Sequence, residues 1–161
     1  MLSIRKTKLV DLDELKLVFD YARNTMRENG NPTQWGSDRP GINLIINDIN
    51  NGESYVVEND GEIVATFACI EGIEPTYIDI DGKWLNDDEY LTIHRIASNG
   101  KVKGIFDFVI DYVSNMNKDI RIDTHADNAT MKHLIEKNGF IECGIIVVDD
   151  GTKRIAYQKT I

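Results

Sequence analysis

The sequence predicts a mixed α/β fold in which a sheet of about seven strands carries helices on both faces. Stretches rich in β-branched and aromatic residues alternate with stretches whose apolar residues recur every three or four positions, as in amphipathic helices. Asp-Gly pairs at 60–61 and 150–151 separate strand-like runs and are typical of hairpin turns. The predicted order is β-α-α-β-β-β-α-β-α-β-β, which differs from the strict βαβ alternation of a parallel sheet.

The first half of the chain is predicted to contain a strand, two helices and a hairpin. The strand covers 2–6, and a helix begins at Asp11, with Glu14 in the position of a capping box. Pro32 and Pro40 lie in the segment that ends this helix. The apolar positions of the first helix are Leu12, Leu15, Phe19, Ala22 and Met26, and those of the second are Ile42, Ile45, Ile46 and Ile49. The strands of the hairpin are predicted at 54–58 and 62–70.

The second half continues with a strand, a helix, another strand, another helix and a final hairpin. A helix opens near Gly104, and the next one, capped by Asp127 or Asn128, ends at Asn138-Gly139, where glycine accommodates a left-handed turn. The segment 71–89 has no clear period and carries seven acids against one lysine. The strands are predicted at 90–97, 120–125, 140–148 and 154–158.

Length and composition predict one soluble domain that spans residues 1–161. Of the 161 residues, 42% are apolar and 28% charged, which suffices for a core without a metal or disulfide staple. Acids outnumber bases 27 to 18, and the net charge of -9 argues against a nucleic-acid-binding module. No apolar run approaches the roughly 18 residues that span a bilayer, so no membrane partner is expected.

The N-terminal residues and the two cysteines predict a cytoplasmic protein. The first residues lack the apolar stretch of a signal peptide. Cys69 and Cys143 both lie within apolar runs, so we expect two buried reduced thiols rather than a disulfide bridge.

The common catalytic signatures are absent from the sequence. There is no G-x-S-x-G elbow, and His94, His125 and His133 form neither H-E-x-x-H nor a Cys/His zinc spacing, so no metal is expected. The turn at 100–104 has two glycines and two lysines but is not a P-loop. Because a strand enters this turn and a helix leaves it, free N–H groups there favour an anion such as a pyrophosphate. The alternative is a plain turn with solvated lysines.

Two motifs between residues 90 and 140 point to a family. In the first, 92–97 (TIHRIA) runs into 101–106 (KVKGIF), which retains the first glycine of the pattern Q/R-x-x-G-x-G/A. The second, at 128–140 (NATMKHLIEKNGF), follows N-x-x-A-x-x-L-Y-E-K-x-G-F at six positions: Asn128, Leu134, Glu136, Lys137, Gly139 and Phe140. With these motifs and its order of elements, the chain resembles the GNAT superfamily of acetyl-CoA-dependent N-acyltransferases. The resemblance implies a mostly antiparallel central sheet and transfer of an acetyl group to an amine.

The resemblance also implies a cofactor site. The backbone at Ile96 and Ala97 would hydrogen-bond the pantetheine arm, and Asn128 would be a polar contact in the same cleft. The pyrophosphate would lie against the amides of Lys101, Val102, Lys103, Gly104, Ile105 and Phe106.

Three positions depart from the family pattern. Lys101 stands where the family has Gln or Arg. Phe106 stands where it has Gly or Ala, and either narrows the cofactor cleft or packs in the core. The family's common tyrosine, thought to protonate the departing thiolate, is replaced by Ile135.

Three residues are candidates for the base that removes the amine proton, directly or through water. His94 lies within a central strand, and imidazole titrates near neutral pH; a buried structural histidine is the alternative. His125 ends its own strand, and Glu71 ends the strand 62–70. The alternatives are a strand-end polar residue for His125 and a solvated acidic loop for Glu71.

Aromatic residues are candidates for walls of the acceptor pocket, because such side chains often line concave sites. For each of them, packing in the core or in a loop is the alternative. The acids of 71–89 either attract a cationic amine or form a solvated face. The four aromatic candidates are Trp35, Tyr77, Trp84 and Tyr90.

The resemblance therefore predicts an N-acetyltransferase that moves an acetyl group from acetyl-CoA to a primary amine by direct attack in a ternary complex. The acceptor is expected to be a small molecule or a peptide, and a homodimer is an open alternative to a monomer. Phe106 and Ile135 motivate a rival, a non-catalytic acyl-CoA-binding or regulatory domain on the same fold. A domain that binds another phosphate-bearing ligand is the third alternative.

Overall fold

The structure, a computed structural model, describes all residues from 1 to 161. Its four helices are α1 (Leu12–Glu28), α2 (Ile42–Asn50), α3 (Ile105–Ser114) and α4 (Ala129–Lys137). Its eight strands are β1 (Leu2–Lys6), β2 (Ser54–Asn59), β3 (Glu62–Glu71), β4 (Asp81–Gly82), β5 (Tyr90–Ser98), β6 (Asp119–Thr124), β7 (Ile141–Val147) and β8 (Lys153–Lys159). Short 3-10 turns lie at Leu9–Asp11 and Pro75–Tyr77.

The eight strands form one mixed sheet in the order β1-β2-β3-β5-β6-β8-β7-β4. Antiparallel pairing joins β1 to β2, β2 to β3, β6 to β8, β7 to β8 and β4 to β7. The first residues of β5, Tyr90–Thr92, pair in parallel with Asp119–Arg121 of β6. The predicted fold class, a mixed and mostly antiparallel sheet with helices, is confirmed.

The strand β4 is the element that the sequence did not predict. It consists of Asp81 and Gly82 and pairs with β7 at Ile145 and Gly144. A Cβ added at Gly82 would lie 2.2 Å from the carbonyl oxygen of Cys143, and one added at Gly144 would lie 2.2 Å from that of Asp81. The two backbones approach so closely that both positions need glycine. A pairing of two residues leaves no periodic signal in the sequence.

The start of α1 differs from the predicted capping box. The Asp11 carboxylate makes no capping bond to α1, although Asp11 occupies the N-cap position. Its Oδ2 accepts the backbone N–H of Lys8 at 2.8 Å, and both carboxylate oxygens accept bonds from the Arg5 guanidinium. These bonds hold the pKa of Asp11 below its ordinary value, with the Arg5 bond as the largest cause. Asp11 therefore fixes the turn before α1.

The chain divides into two compact units. The first comprises Met1–Cys69 and Ile93–Ile105, and the second Ile70–Thr92 and Phe106–Ile161. In the core of the first unit, Leu15, Phe19 and Ala22 of the predicted α1 stripe are buried together with residues of α2, β2, β3 and β5, whereas Leu12 and Met26 are half-buried. The buried members of this core are Leu15, Val18, Phe19, Ala22, Ile45, Val56, Ile63 and Ala97.

The second unit has a smaller cluster around the segment that lacks a sequence period. Tyr77 and Tyr90 are buried there with Ile146 and Ala156, and Trp84 packs against them.

Both cysteines, Cys69 and Cys143, are buried and free, as predicted.

Buried polar side chains hold residues 83–89 of the second unit in place. The Asp119 carboxylate accepts bonds from the side-chain amides of Asn86 (2.8 Å) and Gln158 (3.1 Å). Gln158 in turn accepts the backbone N–H of Leu85 at 3.1 Å. A segment without apolar periodicity is thus fixed by hydrogen bonds to β6 and β8, which the sequence pattern could not indicate.

Candidate active site

The strand β5 contains a residue in a conformation that L-residues rarely adopt. Arg95 has a φ of +53°, although it lies between two strand neighbours, His94 and Ile96. Its Nε donates to Oδ2 of Asp48 at 2.7 Å and its Nη2 to Oδ1 at 2.8 Å. A positive φ interrupts the regular alternation of a strand. The interruption immediately precedes Ile96 and Ala97, the two residues of β5 that the family resemblance assigns to the cofactor. Ala97 is buried and Ile96 half-buried.

The β5–α3 turn, residues 99–104, is partly closed by its own side chains. The N–H of Gly100 donates to Oγ of Ser98, and the N–H of Lys101 donates to Oδ1 of Asn99, both at 3.1 Å. The N–H of Asn99 donates to the carbonyl of Val64 in β3 at 2.9 Å, and the Lys101 ammonium pairs with Glu62. The first three N–H groups of the turn, those of Asn99, Gly100 and Lys101, therefore bind within the protein, and a phosphate would meet those that follow.

Gly104 lies immediately before α3 and has a φ of +77°. Apart from its two chain neighbours, no residue has a heavy atom within 4 Å of a Cβ built at this position, so the backbone conformation, rather than crowding, calls for glycine. The first N–H groups of a helix have no partner within the helix. Open space beside Gly104, with the amides of Ile105 and Phe106 next to it, is a suitable arrangement for an anion. Val102 is half-buried and Lys103 exposed in the same turn.

The two residues that open α3 are buried. Ile105 is 6% exposed and Phe106 5%. Of the two alternatives for Phe106, this burial favours packing in the core over narrowing of a cleft. Only the backbone N–H groups of these residues are then suited to a bound phosphate.

Asn128 and Ile135 have structural roles in α4. Oδ1 of Asn128 accepts the N–H of Met131 at 3.1 Å, so Asn128 rather than Asp127 is the capping residue. Ile135 is 0% exposed. Its hydrocarbon side chain offers no proton, so a leaving thiolate would find no donor at this position.

The three candidate bases have different surroundings. His94 is half-buried in β5. Nδ1 of His125 accepts the backbone N–H of Asp127 at 3.0 Å, which places the proton of a neutral ring on Nε2 and occupies the lone pair of Nδ1. Glu71 is 76% exposed and has the Lys118 ammonium 3.8 Å away.

A pocket of about 710 Å³ in the second unit contains three of the four predicted aromatic residues. We call it the aromatic pocket. Tyr77, Trp84 and Tyr90 line it, and the candidate base Glu71 is part of its wall. Trp35, the fourth aromatic candidate, belongs to the first unit, where its ring meets that of Phe19 edge-on at 5.7 Å. The other lining residues are Gly72, Ile73, Ile78, Asp87, Asp88, Glu89, Lys118 and Arg121.

The aromatic side chains of the pocket are fixed by hydrogen bonds. The Tyr77 hydroxyl donates to Oδ2 of Asp123 at 2.6 Å, and the indole N–H of Trp84 donates to the carbonyl of Tyr77 at 2.9 Å. The Tyr90 hydroxyl accepts the N–H of Glu74 at 2.9 Å. Burial, followed by the nearby Asp123 charge, raises the pKa of Tyr77 well above its ordinary value, so the phenol stays protonated and is not a base.

Arg121 stacks between two rings of the pocket. Its guanidinium carbon lies 4.0 Å from the ring centroids of both Trp84 and Tyr90, and the residue is 5% exposed. Its Nη2 donates to the carbonyl of Asn86 at 3.0 Å. Burial lowers the pKa of Arg121, but an arginine remains charged in this position. A strand arginine gave no sequence signal of this role.

Carboxylates dominate the charge of the aromatic pocket. Glu71, Asp87, Asp88 and Glu89 line it, whereas Lys118 and Arg121 are its basic residues. The Lys118 ammonium lies 3.7 Å from Glu89 as well as near Glu71. The excess of acids favours a cationic ligand, and the aromatic rings and exposed Ile73 and Ile78 offer it apolar contacts.

Comparison with known proteins identifies relatives that share the whole fold. A GNAT-family acetyltransferase from Streptococcus agalactiae 2603 is 35% identical, with a TM-score of 0.90 over 99% of this chain and 95% of that chain. No family model and no curated protein matches the chain.

Two more distant structures show the fold alone. Arabidopsis thaliana Naa50, in complex with the bisubstrate analogue CoA-Ac-MVNAL, is 14% identical with a TM-score of 0.64, covering 99% of each chain. The yncA protein of Salmonella typhimurium, with its cofactor acetyl-CoA, is 12% identical with a TM-score of 0.60, covering 99% of this chain and 93% of that chain.

None of the four helices is both long and apolar enough to cross a membrane.

The 35% identity to the streptococcal protein extends over nearly the full length of both chains, and the predicted sheet and helices are present. The chain therefore belongs to the GNAT family of acetyltransferases.

Proposed function

We propose that this protein transfers the acetyl group of acetyl-CoA to a primary amine. The observation that carries the proposal is the open space beside Gly104 at the start of α3, in a chain that belongs to an acetyltransferase family. Two distant neighbours contain acetyl-CoA or a CoA-linked analogue, which supports the same donor. The acceptor is a small molecule or a peptide, and the peptide part of the analogue bound to Naa50 supports the second.

The donor would be held mainly by backbone groups. The amides at 102–106 would receive the pyrophosphate, and the backbone of Ile96 and Ala97 would bind the pantetheine arm, as the family resemblance implies. Asn128 would add a polar contact. Fixing the thioester next to the amine removes much of the entropic part of the barrier.

The aromatic pocket would take the acceptor. Its carboxylates attract the ammonium form of the amine, and the rings and isoleucines contact the apolar body of the molecule. Because Arg121 already covers one face each of Trp84 and Tyr90, the carboxylates rather than the ring faces would hold the positive charge.

Chemistry begins when the ammonium loses a proton. Glu71 is the candidate base that lines the aromatic pocket, so we assign it this proton, taken directly or through water. His94 in β5 is the alternative base. A pH–rate profile separates them, because replacing the base by Glu71→Gln or His94→Ala removes the acidic limb of kcat/KM and replacing the other residue does not.

The acetyl group then moves in a single displacement. The amine nitrogen attacks the thioester carbon and the carbon–sulfur bond breaks. The acylated nitrogen then loses its second proton to water, which leaves the neutral amide and the CoA thiolate. A thiol of ordinary pKa, about 8.5, is a good enough leaving group to depart without a protonated side chain, and water supplies its proton. This route agrees with the buried hydrocarbon of Ile135.

Thiol release tests the proposal. The protein is incubated with acetyl-CoA and a panel of cationic amines, and free CoA thiol is measured against a reaction without amine. Amine-dependent thiol release is expected. In a parallel titration, saturation with acetyl-CoA should stabilise the fold by about 2.7 kcal/mol at a hundredfold excess over Kd. No change in Tm and no heat of binding would show the donor assignment to be wrong.

The absence of a proton donor at Ile135 favours one second candidate, a non-catalytic acyl-CoA-binding domain. The same experiment separates the two. Acetyl-CoA binding without thiol release from any amine of the panel would support the binding domain and contradict the enzyme.

A further inference from the structure

Arg95 differs from the other non-glycine residues of this chain that have a positive φ. Three residues other than glycine have a positive φ: Asp60, Arg95 and Asn117. Asp60 lies in a hairpin turn and Asn117 in the turn after α3, and Asp and Asn tolerate this region well. Arg95 is the one that lies inside a strand, and arginine has no intrinsic preference for a left-handed backbone. Something outside the local sequence must hold it there.

The contact that can hold Arg95 in this conformation is a bidentate ion pair with Asp48 of α2. Both oxygens of Asp48 accept bonds from the Arg95 guanidinium, at 2.7 and 2.8 Å, and the side chains are 9% and 17% exposed. Two parallel charge-assisted bonds fix the orientation of a guanidinium as well as its distance. Asp48 is itself immobilised, because it belongs to the buried side of α2 with Ile45.

The ion pair acts on the stretch of backbone where the proposed reaction needs precision. Arg95 is bonded on one side to His94, the alternative base, and on the other to Ile96, which leads to Ala97. A change of φ at residue 95 rotates the peptide groups on either side of it. The directions of the N–H and C=O groups offered to the pantetheine thus depend on the left-handed conformation.

We propose that Asp48 and Arg95 are positioning residues for acetyl transfer. Their ion pair holds β5 in its strained conformation and thereby sets the orientation of the thioester relative to the attacking amine. This inference rests on the proposed function. Neither side chain touches the reacting atoms, and their effect passes through the backbone of β5.

The chain supplies a matched control in the pair Arg5–Asp11. Arg5 also donates two bonds to an aspartate, at 2.8 and 3.0 Å, and Asp11 is as buried as Asp48, with 9% of its side chain exposed. The control pair lies in the same unit but holds no residue of positive φ. Arg5 also donates from Nε to Glu58 at 3.1 Å and keeps that partner in the variant. Asp11→Asn thus removes a two-bond contact of a similarly buried aspartate without releasing a strained backbone.

The first experiment compares Asp48→Asn with Asp11→Asn in steady-state kinetics. We expect Asp48→Asn to lower kcat by about tenfold or more, since small misplacements of reacting groups are costly, while the Kd for acetyl-CoA stays within about threefold. Asp11→Asn should leave kcat within about twofold at a similar loss in Tm. Equal effects of the two variants on kcat would overturn the proposal.

The second experiment separates the backbone from the charge. Arg95→Gly and Arg95→Ala both remove the guanidinium, but only glycine adopts a φ of +53° without strain. We expect Arg95→Gly to retain several times more turnover than Arg95→Ala. An alanine variant that is as active as the glycine variant would show that the conformation at residue 95 does not matter.

The third measurement needs no substrate and keeps the ion pair testable if the proposed function fails. Amide hydrogen exchange across 93–98 is recorded for the wild type, Asp48→Asn and Asp11→Asn without ligand. Faster exchange in Asp48→Asn alone is expected. Unchanged exchange would overturn the structural part of the inference, whereas lack of acetyl-CoA binding by the wild type would overturn the proposed function instead.

Discussion

The β5–α3 turn and the aromatic pocket are built in opposite ways. The turn is one continuous stretch, shaped by backbone conformation, with φ values of +76° at Gly100 and +77° at Gly104. The aromatic pocket draws its side chains from separate stretches between Glu71 and Arg121. A site made of backbone suits a group that is always the same, such as a pyrophosphate. A site made of side chains can be altered residue by residue and suits the variable substrate.

This difference implies that the two regions control different constants. Changes in the turn should act on the affinity for acetyl-CoA, and changes in the pocket on the KM for the amine. A variant of one region that mainly changes the constant of the other would break the comparison.

The largest effect is expected from Gly104→Glu. The open space beside this residue accepts the side chain, but a carboxylate next to the pyrophosphate is repelled by like charge. We expect CoA affinity to fall by about a hundredfold or more in calorimetry. Gly104→Ala is the matched control, because it has the same backbone strain without the charge, and it should bind clearly better. Equal affinities in the two variants would place the pyrophosphate elsewhere.

The second effect concerns the acids of the aromatic pocket. A triple variant, Asp87→Asn, Asp88→Asn and Glu89→Gln, should raise the KM for a cationic amine by about tenfold at low ionic strength and less at high salt, because the lost attraction is screened by ions. The Kd for acetyl-CoA should not change. A charge-matched variant of exposed acids in the first unit, Glu14→Gln, Glu28→Gln and Asp38→Asn, is the control. A similar rise in KM for the control would show that the net charge of the protein, rather than the acids of the aromatic pocket, determines the KM for the amine.

A smaller effect is expected from Tyr77→Phe, which tests whether the Tyr77 hydroxyl in the aromatic pocket stabilises the fold rather than taking part in the reaction. Removing the hydroxyl leaves an oxygen of Asp123 without its 2.6 Å donor, which should cost about 1–3 kcal/mol of unfolding free energy. Turnover should change little, because a buried phenol of raised pKa takes no part in proton transfer. Denaturant unfolding and steady-state kinetics measure both, and a large loss of kcat at unchanged stability would assign the phenol a chemical role.

The same variant has a signature at high pH. Burial raises the pKa of Tyr77 above its ordinary value of 10.0, so the unfolded chain releases this proton first. Stability is therefore complete below about pH 10 and falls above it by about 1.4 kcal/mol per pH unit for each such tyrosine. Burial also raises the pKa of Tyr157 to about 12. In Tyr77→Phe, only Tyr157 should still contribute to the fall in unfolding free energy at high pH. A fall per pH unit equal to that of the wild type would contradict the burial of Tyr77.

Periodic elements could be predicted from the sequence because their signal is local. The stripe of α1 is an example, since Leu15, Phe19 and Ala22 are buried as their spacing predicts. The strand β4 could not be predicted, because its pairing depends on the close approach of Gly82 to Gly144, far along the chain. Asp11 departs from its prediction for another reason: the Arg5 guanidinium, six positions earlier, takes both oxygens of the carboxylate, and helix-capping patterns do not include that competitor.

The candidate site divides along the same line. The β5–α3 turn is visible in the sequence because its glycines are local and its helix follows at once. The ion pair of Asp48 and Arg95 joins residues 47 positions apart, so no spacing rule could indicate it. Arg121 looks like an ordinary strand residue until the fold stacks it between Trp84 and Tyr90. Contacts between distant side chains are where local patterns stop being informative.

An experimental structure with bound acetyl-CoA tests the central claim most directly, which is that backbone groups of β5 and the following turn hold the donor. We expect pyrophosphate oxygens within hydrogen-bond distance of the N–H groups of 102–106, and pantetheine bonded to the backbone at Ile96 and Ala97. A cofactor whose pyrophosphate lies against any other part of the chain, or whose pantetheine makes no backbone contact with β5, would contradict it.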